Sequence, residues 1–425
     1  MAEPGPVFVV NAGSRVVTIT LQGFNVARVV DLKLFSGSKL IAEWSGMPIR
    51  KGQLLKPLSA FIPSVHSLKA LRLETSFESP TSQHYRSRPE NTSLVRAGVS
   101  SFSEGGKVVR GWVSVETRQP VIEIRHHIGH HKVAVYYTPL KDGLDNSTMF
   151  FSLRLDEPAT TGDAIVLRLG SKTMGRHSVS STPSSQRWSA TSTIRRQVKL
   201  ASPTKASRVW IIGNGPSVRT DDLERIPGRD ITFTFNRFHL SYERHSFRPD
   251  FVVAVDRGMV LDFGEEVMQK SEAPVLIASN YSSRWAAYKW RLAGHIPIKV
   301  RPGRTLVNSD QKEFSEGGSS VFVALQAAFA MEASEIILYG IDFDFKISNF
   351  QERGGKITAS GDGNHFIKGY RSGKDWFPPS WQHIGEGFLN AAVYSSFEER
   401  PIINATRGGK LETFQRGDFD EIVGE

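Results

Sequence analysis

A chain of 425 residues with 39% hydrophobic and 23% charged residues is globular in composition and too long for one ordinary core, so two domains are expected. It has no cysteine, which excludes disulfides, thiolate metal sites and cysteine nucleophiles and fits a cytoplasmic protein. The formal charge is +10, yet no regular basic and aromatic stripe, zinc-finger or RNP pattern accompanies it, so nucleic acid is not an expected partner.

The N-terminus, "MAEPGPVFVV", lacks the basic start and apolar run of a signal peptide. No stretch reaches the roughly 18–20 apolar residues of a membrane span. Residues 1–170 read as all-β, with "RVVTITL", "RVVDLKL", "KVVRGWVSVET", "PVIEIR", "KVAVYY", "FFSLRL" and "AIVLRL" as short β-branched strands between turns. A sandwich or barrel is expected, with one or two helical turns in "LSAFIPSVHSLKALRLE" (58–74). "RHHIGHH" (125–131) reads as a hairpin tip. A metal site is the alternative, but no carboxylates are placed to orient these histidines.

Residues 171–207 are rich in Ser and Thr and carry Lys172, Arg176, Arg187, Arg195, Arg196, Lys199 and Lys205 with no acid. They read as a basic linker, with Trp188, Ile194 and Val198 as points that pin it to a neighbouring surface. The functional alternative is peripheral attraction to anionic lipid at the inner membrane face.

From residue 208 strands alternate with helices. Strands are expected at 209–213, 231–235, 251–255, 275–278, 335–339 and 401–404, with the clearest helix at 321–331. This is the pattern of a doubly wound, Rossmann-like α/β sheet, in which ligands sit beyond the carboxyl ends of the strands.

The loops at that edge carry the candidate residues. "GNGPS" (213–217) is neither a dinucleotide fingerprint nor a P-loop. Gly213 and Gly215 allow close backbone approach to a ligand, or make a tight turn with Ser217 as cap. "TFNRFH" (234–239) places Asn236 at a strand end, where its amide reads a ribose or base or forms an Asx-turn. "VVAVDR" (252–257) ends on Asp256 and "IASNYSSRW" (277–285) on Asn280. "SEGGSSVFVALQAAFAM" (315–331) is a Gly/Ser turn opening an apolar helix, suited to an anion or to close packing. "EIILYGIDFDF" (335–345) ends on Gly340 and Asp342. "GDGNHFIKGY" (361–370) carries His365, a plausible general base or a structural histidine. "DWFPPSW" (375–381) is a sugar-stacking platform or a packed loop.

Taken in order, residues 208–370 resemble the bacterial sialyltransferases of glycosyltransferase family 42 and the related Kdo-transferase-like and Maf-like proteins. The resemblance rests on residues 211–217, 235–238, 279–281, 319–343 and 363–367, while "INATRGGKLE" (403–412) looks more like the Maf-like relatives. It implies transfer of a sialic acid, Kdo or related sugar from a CMP-sugar to a glycan or glycolipid acceptor of capsule or lipooligosaccharide. It implies Asn214, Asn236 and Ser319 on the nucleotide, Gly340 and Asp342 near base or ribose, and His365 as general base. Gly213, Gly215, Ser217, Asn280 and Ser320 complete the expected donor-binding set. No cofactor or metal is obligate, although a divalent metal is compatible.

The chain departs from the family pattern in the lid, residues 344–362, which has none of the usual tyrosines. Lys346, Arg353, Lys356, Lys368 or Tyr370 are the residues available to hold the leaving phosphate. Asp256 replaces the family asparagine and would bind ribose or act as a nucleophile in a retaining mechanism. The expected organisation is therefore a β-domain over 1–170, a linker over 171–207 and a catalytic domain over 208–425. The β-domain would bind acceptor glycan or dock other enzymes. An ATP-dependent pyrophosphokinase and a catalytically degenerate glycan-binding scaffold are the alternatives.

Overall fold

The computed structural model describes residues 96–114, 121–139, 148–169, 172–179, 208–306, 313–345, 363–371 and 381–424 without 412, Lys374 and Pro379, and further strands within 7–76, 141–145 and 348–360. Residues 180–207, which hold most of the basic stretch with Trp188, Ile194 and Val198, lie outside the described residues. So do most of "DWFPPSW", residues 62–70 and the side chains of Lys346, Arg353 and Lys356.

The expected α/β class with a separate all-β region is what the chain forms. The N-terminal strands β1 (Val7–Gly13), β2 (Val16–Gln22), β3 (Arg28–Ser36), β4 (Lys39–Ile49), β5 (Leu58–Phe61) and β6 (Leu71–Ser76) pair as two three-stranded sheets. Then follow β7 (Arg96–Ser103), β8 (Val108–Ser114), β9 (Val121–Ile128), β10 (Lys132–Pro139), β11 (Lys141–Asp145), β12 (Thr148–Arg154), β13 (Ala164–Leu169) and β14 (Lys172–Ser178). They form two antiparallel sheets, ordered β11-β12-β8-β7 and β10-β9-β13-β14. Alternate residues of both sheets, such as Val109, Val113, Phe151, Ile122, Ile124 and Ile165, meet in one core. Because β14 pairs with β13, the sandwich continues through Ser178, eight residues into the stretch read as linker. The "RHHIGHH" hairpin is present, with Gly129 at φ 56°. His126 nevertheless points inward, 3.1 Å from Asp163, which also accepts from the Gly129 and Thr160 amides. No cluster of three metal-ligating side chains occurs among the described residues.

The second unit is an eight-stranded parallel sheet. Its strands are β15 (Arg208–Ile212), β16 (Ile231–Phe235), β17 (Phe251–Ala254), β18 (Val275–Ala278), β19 (Ile296–Ile298), β22 (Glu335–Tyr339), β25 (Ile402–Asn404) and β26 (Gln415–Arg416), while β20 (Val300–Arg301) with β21 (Phe314–Ser315) and β23 (Ser348–Arg353) with β24 (Lys356–Ser360) form separate short pairs. The order is β19-β18-β17-β16-β15-β22-β25-β26. These strands read as unbroken apolar runs because both faces are covered. Val209 and Ile211 face one core, Trp210 and Ile212 the other. The covering helices are α1 (Thr220–Leu223), α2 (Arg257–Lys270), α3 (Arg284–Leu292), α4 (Ser320–Ala330), α5 (Trp381–Glu398) and α6 (Phe419–Gly424). All of α4 after Ser320 is buried, which accounts for its near-absence of polar residues. Among the described residues no helix is long and apolar enough to cross a membrane. The chain winds outward from β15 to β19 and then crosses to β22 on the other side of β15. That crossing makes the β15/β22 boundary the switch point of the sheet.

Helix α5 joins the two units. Trp112 and Phe150 of the sandwich pack on Leu389 and Val393. The Asn390 amide accepts from Trp112 Nε1 at 2.7 Å and donates to the Arg304 carbonyl at 2.7 Å, while its own carbonyl accepts from Ser100 Oγ at 2.7 Å. A cavity of about 530 Å³ lies beside this clasp, lined in part by His177, Arg304 and Glu386. Burial pushes the His177 imidazole down to about 4, so it is neutral, and its Nε2 lies 3.2 Å from Thr305 Oγ1. Replacing Asn390 by Ala strands a buried indole N–H and a half-buried carbonyl, so Asn390→Ala should lower the unfolding free energy by about 1–3 kcal/mol. Denaturant titration measures this, and an unchanged midpoint would remove the clasp from the account.

Candidate functional site

The loops after β15 and β22 meet at the switch point. Gly213 N–H donates to the Tyr339 carbonyl at 2.7 Å and Gly215 N–H to the Gly340 carbonyl at 3.0 Å. A Cβ on Gly213 would overlap the Gly340 carbonyl, and one on Gly215 the Asp342 carboxylate. The glycines of "GNGPS" are therefore needed for contact between two loops of the protein, and their amides are already engaged. Ser217 does not line the cavity. Its Oγ donates to Asp342 Oδ2 at 2.8 Å, with its N–H 3.4 Å from the same oxygen.

Between these loops lies a cavity of about 210 Å³. It gathers Gly213, Asn214, Gly215, Asn236, Ser319, Ser320, Gly340, Asp342, His365 and Tyr370 from the expected set. Asn214 Nδ2 donates to the Phe235 carbonyl and to Tyr370 Oη, each at 2.9 Å. Asn236 sits at φ 53°, the left-handed region asparagine tolerates, and also bonds the Tyr370 hydroxyl. Burial pushes that hydroxyl up to about 12, so it stays protonated. The His365 ring stacks on the Tyr370 ring, with centroids 3.9 Å apart and planes at 16°.

Two features define the chemistry of the cavity. The buried amide oxygens of Asn214 and Asn236 have no hydrogen-bond partner among the described residues, and such acceptors are costly to leave unmet. No lysine or arginine lines the cavity among the described residues. Its charged groups are carboxylates. Burial raises the Asp342 carboxyl, opposed by the Ser217 bonds and reinforced by Asp344. Asp344 is paired with Lys410 at 2.8 Å. Lys410 arrives on the loop after β25, whose Lys410 N–H donates to the Asp342 carbonyl at 2.6 Å. On the opposite wall Ser319 caps α4, its Oγ accepting from Val321 N–H at 3.2 Å.

The His365 segment is tied down by residues that sequence reading did not single out. Arg237 is buried, bonds both Glu266 oxygens and donates to the carbonyls of Gly369 (3.2 Å) and Tyr370 (2.8 Å). Phe366 N–H donates to the Asn214 carbonyl at 3.0 Å, and Arg371 reaches Asp262 at 2.8 Å. Asn364, Asp344, Phe343 and Phe345 also line the cavity. The available signal was adjacency: Arg237 follows Asn236, and Asn364 precedes His365.

Besides Ser217, two expected residues stand elsewhere. Asp256 caps α2, with Oδ1 accepting from Met259 N–H at 2.8 Å, and does not line the cavity. Asn280 clasps Val300, donating to its carbonyl and accepting from its N–H, each at 2.8 Å. Lys368 is exposed, and neither it nor any other described cation lines the cavity.

Residues 189–348 match the model of a family described as 6-hydroxymethylpterin diphosphokinase MptE-like. No curated protein matches the chain. Among solved structures, the sialyltransferase CstII from Campylobacter jejuni in complex with a CMP substrate analogue aligns at 15% identity over 49% of this chain and 83% of that one, with a TM-score of 0.26. The purple acid phosphatase PPD1 of yellow lupin (Lupinus luteus) aligns at 9% identity over 92% and 76%, with a TM-score of 0.21. At such TM-scores the architecture rests on the chain's own sheet order.

The raised Asp342 carboxyl has a consequence for stability. A folded-state pKa above the ordinary 3.8 disfavours the ionised group in the native state. The penalty is absent below the unfolded value and complete once pH exceeds the folded one. Asp342→Asn keeps an acceptor for Ser217 and removes the charge. It should raise Tm at pH 7, and its advantage should vanish as pH falls toward the unfolded carboxyl value. A Tm difference independent of pH would contradict this.

Proposed function

We propose that residues 208–425 form a nucleotide-dependent transferase domain that moves a sialic acid, Kdo or related sugar from a CMP-sugar to a hydroxyl of a surface glycan. The observation that carries the reading is the pairing of His365, stacked on buried Tyr370, with two asparagine amides whose oxygens lack partners among the described residues. Sugar and ribose hydroxyls, or an exocyclic base amine, are the donors such oxygens accept. Among the described residues the cavity wall has no lysine or arginine, which suits one phosphate better than three. Cytidine as the base rests on the order of the motifs between 211 and 367, not on the geometry.

In this reading the acceptor hydroxyl attacks the anomeric carbon. The new carbon–oxygen bond forms as the bond to the CMP phosphate oxygen breaks, and His365 takes the hydroxyl proton. The N-terminus of α4 lines the cavity at Ser319 and Ser320, so its dipole would favour the developing phosphate charge. Arg237 positions the His365 segment through its backbone carbonyls. The sandwich, fixed to α5, would present acceptor glycan or dock another enzyme of capsule or lipooligosaccharide assembly.

A second reading, pyrophosphoryl transfer from ATP, is favoured by the match of residues 189–348 to a family described as a diphosphokinase. Asp342 and Asp344 at one strand end suit a Mg²⁺ ion shared with phosphates. Against it, Asp344 is already paired with Lys410 and Asp342 with Ser217.

Thermal shift with CMP, UMP, GMP and ATP plus Mg²⁺ separates the readings. CMP should protect without metal. Protection by Mg²⁺-ATP alone would move the assignment to the kinase reading, and no protection by any nucleotide would favour a binding scaffold. With a CMP-sugar turned over, His365→Ala should lower kcat by roughly 10²–10⁴-fold while CMP protection persists. An unchanged kcat would end the general-base role.

A further inference from the structure

The segment between β18 and β19 carries an exposed helix face that the proposed reaction does not use. Tyr281 lies just before α3, and Trp285, Tyr288 and Leu292 follow at spacings of three and four, a single stripe on the helix. They are 37%, 64%, 48% and 71% exposed. The Trp285 and Tyr288 rings stack at 5.6 Å and 24°, held outward as one aromatic plate. Helix α3 is anchored from its other side by Trp290, which packs against the core, and is capped by Ser283, whose Oγ accepts from Ala286 N–H at 3.1 Å. The stripe is therefore presented by an ordered helix.

The charges on α3 itself have one sign, with Asp256 and Glu316 acting on Tyr281 from other elements. No acid occurs between Glu272 and Asp310. Arg284, Lys289 and Arg291 are exposed on α3, and Lys289 Nζ lies 5.5 Å from the Trp285 ring centroid. Large aromatics with polar tips, one terminal leucine and flanking cations make the composition of a helix that lies in a headgroup layer. An acidic peptide would satisfy the cations but leave the aromatic stripe in water, and a second copy would set like charges against each other.

We propose that this face of α3, with Tyr281, docks on an anionic lipid surface. The rings enter the headgroup region while Arg284, Lys289 and Arg291 meet lipid phosphates and carboxylates. A helix of nine residues inserts shallowly, so binding is reversible and salt-sensitive. The loop that starts the stripe leaves the carboxyl end of β18, the edge of the parallel sheet on which the cavity opens. Docking here turns that edge toward the bilayer, whatever reaction the cavity performs.

The test is co-sedimentation of the full chain with vesicles of phosphatidylcholine alone or mixed with phosphatidylserine. Binding should require phosphatidylserine and fall with added salt. Arg284→Gln/Lys289→Gln/Arg291→Gln should weaken it by roughly 100-fold, and Trp285→Ser/Tyr288→Ser by at least roughly tenfold. Far-UV circular dichroism checks that both variants fold. The charge-matched variant Lys107→Gln/Arg176→Gln/Arg229→Gln should bind as the parent does. Several outcomes would overturn the proposal: no binding to the mixed vesicles, equal binding by the parent and the α3 variants, or equal losses in the control variant. The first leaves a second copy or a nucleic acid as occupant, read by gel filtration and by DNA retention. Equal binding by the variants moves the contact to another basic region.

Discussion

The structure depends on one close contact, where the backbone after β15 meets the backbone after β22. Two parallel strands that begin opposite crossovers would ordinarily leave a crevice between their loops. Here the crevice floor is closed by Gly213 and Gly215 lying against Gly340 and Asp342, with no room for a Cβ at either glycine. Closing the floor sets the depth of the cavity and buries the Asp342 carboxyl. It also turns Asn214 toward Tyr370. The loop after β25 leans on the same place, because Ile341 N–H donates to Thr406 Oγ1 and Lys410 bonds the Asp342 carbonyl.

The opposite wall is built by long-range ties rather than by one strand end. His365 belongs to a segment with no regular secondary structure, yet its neighbours are held at several points. Arg237 grips two of its carbonyls, Asn214 accepts from Phe366, and Arg371 reaches back to α2. The consequence is a histidine whose ring plane is set by Tyr370. Helix α5 extends this coupling to the sandwich. Ile384 and Phe388 line the cavity, while Leu389, Asn390 and Val393 meet the β-domain. A displacement of the sandwich would therefore reach the site through α5, beside the direct contacts of Ser100 and His177 with residues 305–306.

The chemistry of the cavity follows from which polar groups are already satisfied. Ser217, Asn280 and Asp256 bond inside the protein, as a clasp, a strand partner and a cap respectively. Asn214 and Asn236 have used their amide nitrogens and retain buried oxygens. Residues of the same type at the ends of neighbouring strands thus divide into those satisfied inside the protein and those that keep a buried acceptor, according to what each strand end faces.

Much of this organisation was legible in the chain itself. Unbroken apolar runs such as "VWII" and "FVVA" specify strands covered on both faces, and period-two runs such as "PVIEIR" specify a sandwich, because side-chain alternation fixes which face is buried. The change between these patterns located the second unit, and the order of short motifs located its candidate loops. Other features needed the tertiary structure. That β14 belongs to the sandwich depends on pairing with β13, a contact between strands that composition does not encode. The glycines of "GNGPS" could serve a ligand or a neighbouring loop, and only the approach of Gly340 and Asp342 shows that the loop contact requires them. Asp256 and Asn280 looked equivalent to Asn236 because strand-end position is local, whereas the partner of a polar side chain is set by distant segments brought beside it. The same limit applies to Arg237, whose role exists only because residues 369 and 370 return to it across more than a hundred residues of chain.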